Sequence, residues 1–352
     1  MREESLSFLK ELMDAPSPSG FEQPAQTVFR KYVAQFADEV RTDVHGNATA
    51  VLNGKGKLRV MLAGHCDEIG LMVNHIEDSG FIRFAAIGGM DQSLLPGLRV
   101  MIHSKKGPVL GVIGKKPIHL LKPEERKKVA EIKQLWIDIG VRNKADAKKV
   151  VELGDPITVS AGFEVLRGQL AVSRGFDDKI GTFVVAETVR LLSGKKINAA
   201  VFGVSTVQEE IGLRGAQTSA YGIDPHVGIA IDVGFASDFP GADKSEIGEA
   251  SLGKGPILHR GANINPVLGE HLVKTAKSRK IPYQMQSAPR ATGTDANAMQ
   301  VTRAGVAAAL VSIPNRYMHT SAEIVSLRDA ENAARLLAAA IEKMSEKMDF
   351  TP

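Results

Sequence analysis

Apolar positions along the chain fall into two textures. In the opening segment Leu6, Leu9, Leu12 and Met13 recur at helical spacing, and a second helix after Pro24 carries Val28, Phe29, Tyr32, Val33 and Phe36, with a PSPSG loop between the two. Residues 48–52 and 58–63 read as strands joined by a turn at Asn53–Gly54–Lys55–Gly56. From 71 to 164 short alternating strands and tight turns take over: 71–76, 81–86, 99–103 and 108–113, with one helix expected over 123–134 and a Gly154–Asp155–Pro156 turn before a further strand. After Gly168 the α/β texture resumes. A helix carries Ile180, Phe183, Val184, Leu191 and Leu192, and apolar strands follow from 201, over 227–231 and over 306–313. Between the last two lie a loop over 235–255, a helix over 266–279 and a strand over 281–286. A closing helix, capped by Ser326 with Asp329 three residues on, points Ala330, Ala333, Leu337 and Ile341 inward. The pattern implies an α/β domain made of residues 1–70 plus 165–352, with a small β-rich domain, 71–164, inserted into it.

The apolar runs end in polar chemistry. The stretch VFGVSTVQEEIGLRG, residues 201–215, stops at two adjacent carboxylates, Glu209 and Glu210. A solvated turn at a strand end would look the same. The strand over 58–63 runs into His65 and Asp67, which are two apart and so share a face of an extended chain, as an imidazole and a carboxylate that orients it would need. Asp177 and Asp178 open the helix of the resumed segment, where the dipole and free backbone N–H groups favour carboxylates. Capping explains one of them more easily than two. The strand over 227–231 ends at Asp232, and that over 306–313 leads to His319. Carboxyl ends of strands in an open α/β sheet lie along one edge, so these residues can converge. Two imidazoles and three carboxylates make the ligand set of a pair of zinc, cobalt or manganese ions, with one carboxylate bridging. One glutamate is then left to move a proton, which is the chemistry of hydrolysis at a peptide or related carbonyl.

Composition narrows the field. The chain has 352 residues, 43% of them hydrophobic, which is ample for packed cores. A net charge of +4 with scattered basic residues and only 5% aromatics argues against nucleic acid as a partner. The single cysteine, Cys66, and the lack of a signal-like or membrane-length apolar run imply a cytoplasmic protein with no membrane partner. Lying between His65 and Asp67 on the other strand face, Cys66 should be core and not a ligand.

GHCDEIG, FDDKIG, STVQEEIGLRGA, AIDVG, GTDANAM and RYMHTSAE resemble, in the same order, the motifs of the tetrahedral (TET) aminopeptidases, which also carry glutamyl aminopeptidase and CelM-like cellulase labels. The resemblance covers almost the whole chain. It implies a mixed-sheet, phosphorylase/hydrolase-like metallopeptidase domain with an inserted β-barrel or PDZ-like dimerisation domain. It also implies a cytoplasmic homo-oligomer, a tetrahedral dodecamer built from dimers, that admits peptide substrates. By the same resemblance His65, Asp177, Glu210, Asp232 and His319 would hold two divalent ions, zinc or cobalt ahead of manganese. Asp177 would be the bridge, Glu209 the general base and acid acting on the metal-bridging water, and Asp67 the partner that orients His65. Asp178 would help fix the backbone of the bridge. Arg316, Tyr317, Thr294 and Asp295 are further candidates for the substrate pocket or its support. His45, His75, His103 and His119 end no core strand beside an acid, and structural roles suit them better. The alternatives are an amidohydrolase or deacylase of the same architecture and, less favoured, an endoglucanase, whose two carboxylates would need no metal.

Overall fold

The computed structural model describes residues 1–352. Its main sheet is mixed, as expected. Four central strands run parallel in the spatial order Ala200–Thr206, Arg59–His65, Val227–Phe235 and Ala307–Arg316. The first is buried at every position and the second at all but its first residue, which is why both read as continuous apolar runs: each face of the sheet is covered. A hairpin of Glu39–Thr42 and Ala48–Leu52 extends one side of the sheet, antiparallel to Ala200–Thr206. Glu323–Ser326 and Leu170–Ser173 extend the other. Because Glu323–Ser326 is antiparallel to both of its neighbours, Leu170–Ser173 leaves the sheet at the same edge as the four central strands.

The helix Phe176–Leu192 packs across the back of these strands and brings its first residues to that edge. Its approach to Arg59–His65 needs bare backbone. A Cβ on Gly64 would stand 2.5 Å from the carbonyl carbon of Gly181 and 2.6 Å from the nitrogen of Thr182. The contact is locked by the Thr182 hydroxyl, which donates to Gly64 O at 3.0 Å. His65 is thereby held against the helix start that carries Asp177 and Asp178.

The inserted stretch forms a closed barrel in the order Gly70–Ile76, Ile82–Ile87, Trp136–Asp138, Gly107–Gly114, Arg99–Ser104, Pro156–Val159, with every neighbouring pair antiparallel. Leu71, Val73, Ile82, Val100, Ile102 and Ile137 belong to an apolar core of its own, distinct from the one beneath the main sheet. No helix is long and apolar enough to cross a membrane.

Local expectations fail where tertiary contacts decide. The helix expected over 123–134 is instead two 3-10 turns, Glu125–Lys127 and Ile132–Gln134, with no buried residue in either. A segment this short and this charged has no apolar stripe to bury, and an unsupported helix of about 12 residues is marginal in water. The strand expected over 281–286 is Gln284–Ala288, and the strand that it pairs with, Ile257–Gly261, went unread behind a glycine-rich loop. Asp232 does not end its strand, which continues to Phe235 because it pairs with Ala307–Arg316 along its whole length. Ser326 makes no side-chain cap, and Asp329 is engaged elsewhere: its carboxylate accepts the N–H groups of Gly253 and Gly255 at 2.6 and 2.8 Å.

Since backbone lies against backbone at Gly64, Gly64→Ala should lower stability by about 1–3 kcal/mol, the usual range for forcing a methyl into a filled interior. Chemical denaturation measures this, and an unchanged midpoint would mean that the helix is free to shift.

Candidate metal centre and active site

The turn that follows Ala200–Thr206 is sharp. Gln208 (φ 56°) and Leu213 (φ 58°) take left-handed backbone although neither is glycine, and Gly212 has φ 126°. Glu209 O accepts the N–H groups of Gly212 and Leu213, both at 2.9 Å, which closes the turn on itself. Buried Asp67 then ties it to the exit of Arg59–His65, accepting Glu209 N–H at 3.0 Å on one oxygen and Glu210 N–H at 3.1 Å on the other. Ser19, from the PSPSG loop, donates its hydroxyl to the same carboxylate at 2.7 Å.

Asp177 is central to the cluster. One of its oxygens lies 3.2 Å from His65 Nε2 and the other 3.3 Å from His319 Nε2. Glu210 lies 3.6 Å from His319 Nε2, and Glu209 lies 3.7 Å from His65 Nε2. Ligand atoms of His65, Asp177 and Glu210 fall within 4.8 Å of one another, as do those of His65, Asp178 and Asp232. Both imidazoles are oriented the same way. His65 Nδ1 faces the main-chain oxygen of Asp67 at 3.0 Å, closer than that residue's carboxylate at 3.5 Å, and His319 Nδ1 faces Gly89 O at 2.7 Å. Each Nδ1 is therefore a donor, which turns each Nε2 toward the carboxylates. Gly89 follows a barrel strand, so the inserted barrel supplies part of this site.

The charge balance is unusual. Burial, with Asp232, Asp295 and Glu210 nearby, pushes Glu209 up to about 10 despite the opposing effect of His65. Burial and Asp177 push Glu210 up to about 7 and Asp232 well above the usual carboxylate range. Burial would depress His65, but Glu209, Asp177 and Asp67 outweigh it and hold the imidazolium well above its ordinary value. The hydrogen bond to Asp177 raises His319 to about 9. Like charges crowded out of water ionise together only beside cations, and divalent ions are the groups that meet this need. The donor set fits them, because buried His65 Nε2 and Glu210 Oε1 have no hydrogen-bond partner of their own.

Beyond the cluster a cavity of about 400 Å3 opens to solvent, lined by Leu213, Val233, Thr294 and Met318 as well as by the acids and histidines. Thr294 also accepts the N–H of Ala296 at the start of a short helix. Asp295 is buried, with one oxygen accepting the Thr206 hydroxyl at 2.6 Å and the other unpartnered. Arg316 is occupied by a two-pronged pairing with Asp238 at 2.7 and 2.8 Å, and half-exposed Tyr317 stands beside Phe239. None of His45, His75, His103 or His119 joins the cluster; half-buried His103 pairs with the Thr158 hydroxyl, and burial, with Arg174 nearby, lowers its pKa to about 4. Cys66 is buried.

Three supports escaped the sequence reading. Gly89 acts through a carbonyl, which leaves no signal in a side-chain pattern. Glu68, buried and next to Asp67, pairs with Lys179 at 2.9 Å and Arg174 at 3.1 Å. Only neighbouring charges from three segments make such a trio visible. Glu323 did leave a trace, an acid at the head of a short apolar strand four residues after His319. It accepts Asp177 N–H and His319 N–H, each at 2.9 Å.

A mixed α/β sheet with imidazoles and carboxylates gathered at its parallel strand exits defines a metal-dependent hydrolase. The model of the M42 glutamyl aminopeptidase family matches residues 46–336, and the chain belongs to that family of metal-dependent aminopeptidases. It is 38% identical over 349 residues to the lysyl aminopeptidase of Pyrococcus furiosus, covering 98% of this chain and 99% of that one. The TET aminopeptidase of a marine sediment thaumarchaeon superposes with a TM-score of 0.94 at 38% identity, over 98% of both chains. The Pyrococcus horikoshii TET1 peptidase, which can assemble into a tetrahedron or a large octahedral shell, gives 0.86 at 32% identity over 97% of this chain and 100% of that one. The amidohydrolase and endoglucanase alternatives are not favoured.

Proposed function

We propose that the chain removes N-terminal residues from peptides with two divalent ions held by His65, Asp177, Glu210, Asp232 and His319, while Glu209 moves the proton. The observation that carries this reading is Asp177, whose two oxygens are divided between two imidazoles that both present Nε2. Zinc and cobalt suit such a nitrogen and carboxylate set, with manganese third. Ions held there would supply Lewis acidity toward the scissile carbonyl and toward water.

The chain's own groups do the rest. Glu209 is fixed through its N–H by Asp67, yet its carboxylate faces the cavity and is not one of the five ligands. It takes a proton from the attacking water as the C–O bond forms, and gives it to the departing nitrogen as the C–N bond breaks. The acidic wall of the cavity offers counter-charges to the cationic N-terminus of a peptide, which suits removal of terminal residues. Leu213, Val233 and Met318 supply the apolar part of the cavity lining.

Residues 1–70 plus 165–352 are read as the catalytic domain and 71–164 as an inserted dimerisation domain. Exposed Leu110, Val112, Ile118, Leu120 and Val129 on and beside the barrel support a contact with a second copy. A tetrahedral dodecamer built from such dimers follows by analogy with the TET relatives. A cytoplasmic setting accords with a single, unpaired cysteine.

Stripping metal with a chelator should abolish hydrolysis of aminoacyl-p-nitroanilides, and added Zn2+ or Co2+ should restore it. Glu209→Gln should keep its metal and lose about 10²–10⁴ in kcat; full turnover in either the stripped enzyme or the variant refutes the mechanism. Light scattering should find particles of twelve chains, and a strict monomer would refute the assembly while leaving the chemistry standing.

A further inference from the structure

Two of the proposed ligands arrive on separate segments. Asp177 follows the strand Leu170–Ser173, and His319 follows Ala307–Arg316. Those strands do not touch; Glu323–Ser326 lies between them, antiparallel to both, and so enters the sheet where the other two leave it. Glu323 is its first residue, paired with Ser173, and is 1% exposed. Its two oxygens are divided, one accepting Asp177 N–H and the other His319 N–H, each at 2.9 Å. Two donors addressing two oxygens is the pattern that a carboxylate satisfies and an amide does not.

His319 needs such a hold. Its φ of 61° is left-handed, a conformation that a non-glycine residue keeps only when its surroundings impose it, and its side chain is 38% exposed. Apart from Glu323, its fixed contacts are Gly89 O on Nδ1 and the cluster itself on Nε2. Asp177 is likewise aimed by its backbone, since both of its oxygens are committed to the histidines. We infer that Glu323 is a positioning residue that fixes the distance between Asp177 and His319 and so sets the metal affinity of the site they share. The inference rests on reading the cluster as a metal centre. Glu323 touches neither substrate nor the reacting atoms; it acts through two main-chain N–H groups. Asp67 does the same for Glu209 and Glu210, and Asp178 accepts His65 N–H at 3.2 Å. Glu323 differs in joining two ligands distant in sequence.

Asp329 provides the comparison. It too is a buried carboxylate accepting two main-chain N–H groups, but those of Gly253 and Gly255, which hold no ligand. The test is Zn2+ and Co2+ affinity of the full chain, measured without turnover by competition with a chelating indicator, together with the visible spectrum of the Co2+ form and the melting temperature of the metal-stripped protein. In Glu323→Gln one N–H meets an NH2 group and loses its acceptor. Metal affinity should then fall about 10–100-fold, as it does when residues supporting ligands are removed, and the Co2+ spectrum should change. Asp329→Asn should lower the melting temperature with affinity and spectrum unchanged. Glu323→Asp keeps the charge but is one methylene too short to serve both donors; it should also weaken binding, and it carries the test if the amide variant does not fold. Wild-type affinity and spectrum in whichever Glu323 variant folds would overturn the inference, as would an equal loss of affinity in Asp329→Asn. A wild-type chain that binds neither ion would instead refute the metal centre itself.

Discussion

The constraint on which this molecule turns is the crowding of acids at one sheet edge. Asp67, Asp177, Asp178, Glu209, Asp232, Asp295 and Glu323 are all buried there, the Glu210 side chain is nearly so, and the imidazoles among them are those of His65 and His319. In an interior such a collection repels itself, and each member tends to hold its proton. The fold answers at two levels. Main-chain N–H groups that leave the sheet ladder at the strand exits lose their backbone partners, and several are turned onto the acids: those of His65, Asp177, Glu209, Glu210 and His319 all end on a carboxylate. What remains falls to cations in the cavity. In Asp67 and Glu323 both oxygens thus accept main-chain N–H groups.

The same arrangement separates two residues that look interchangeable in the chain. Glu209 and Glu210 are neighbours, and one carboxylate holds both of their N–H groups, yet one side chain lies nearer His65 and the other nearer His319. Adjacent residues in an irregular turn point apart, so a single tight turn delivers one carboxylate toward His65 and the other toward His319, the separation that the proposed ligand and proton-carrier roles need. The left-handed residues Gln208 and Leu213 on either side show how closely that turn is specified. The barrel joins the site through the Gly89 carbonyl on His319, which makes the inserted module part of the centre's geometry as well as a surface.

Much of this was legible in the sequence, because the signals are strong where burial is uniform. Continuous apolar runs marked the central strands, and the polar residues at their ends marked the edge where His65, Glu209, Glu210 and His319 meet. Asp232 lies beside His65 and Asp178 although its strand runs three residues further, since a strand paired along its whole length does not stop at a buried acid. Less was legible where a role depends on a distant partner. Nothing near Asp329 in sequence points to the glycines that it holds, and nothing at Gly89 marks its carbonyl. Glu323 lay within a recognised motif, but its function appears only when the exits of two strands are seen on either side of it.

The central claim is that one carboxylate, Asp177, serves two ions. Elemental analysis of the intact chain and of Asp177→Ala, each loaded with Zn2+ or Co2+ and passed through gel filtration, tests it most directly. The intact chain should hold two ions and the variant neither, because a shared bridge leaves neither site complete. A variant that keeps either ion at its original affinity, or an intact chain that binds none, would contradict it.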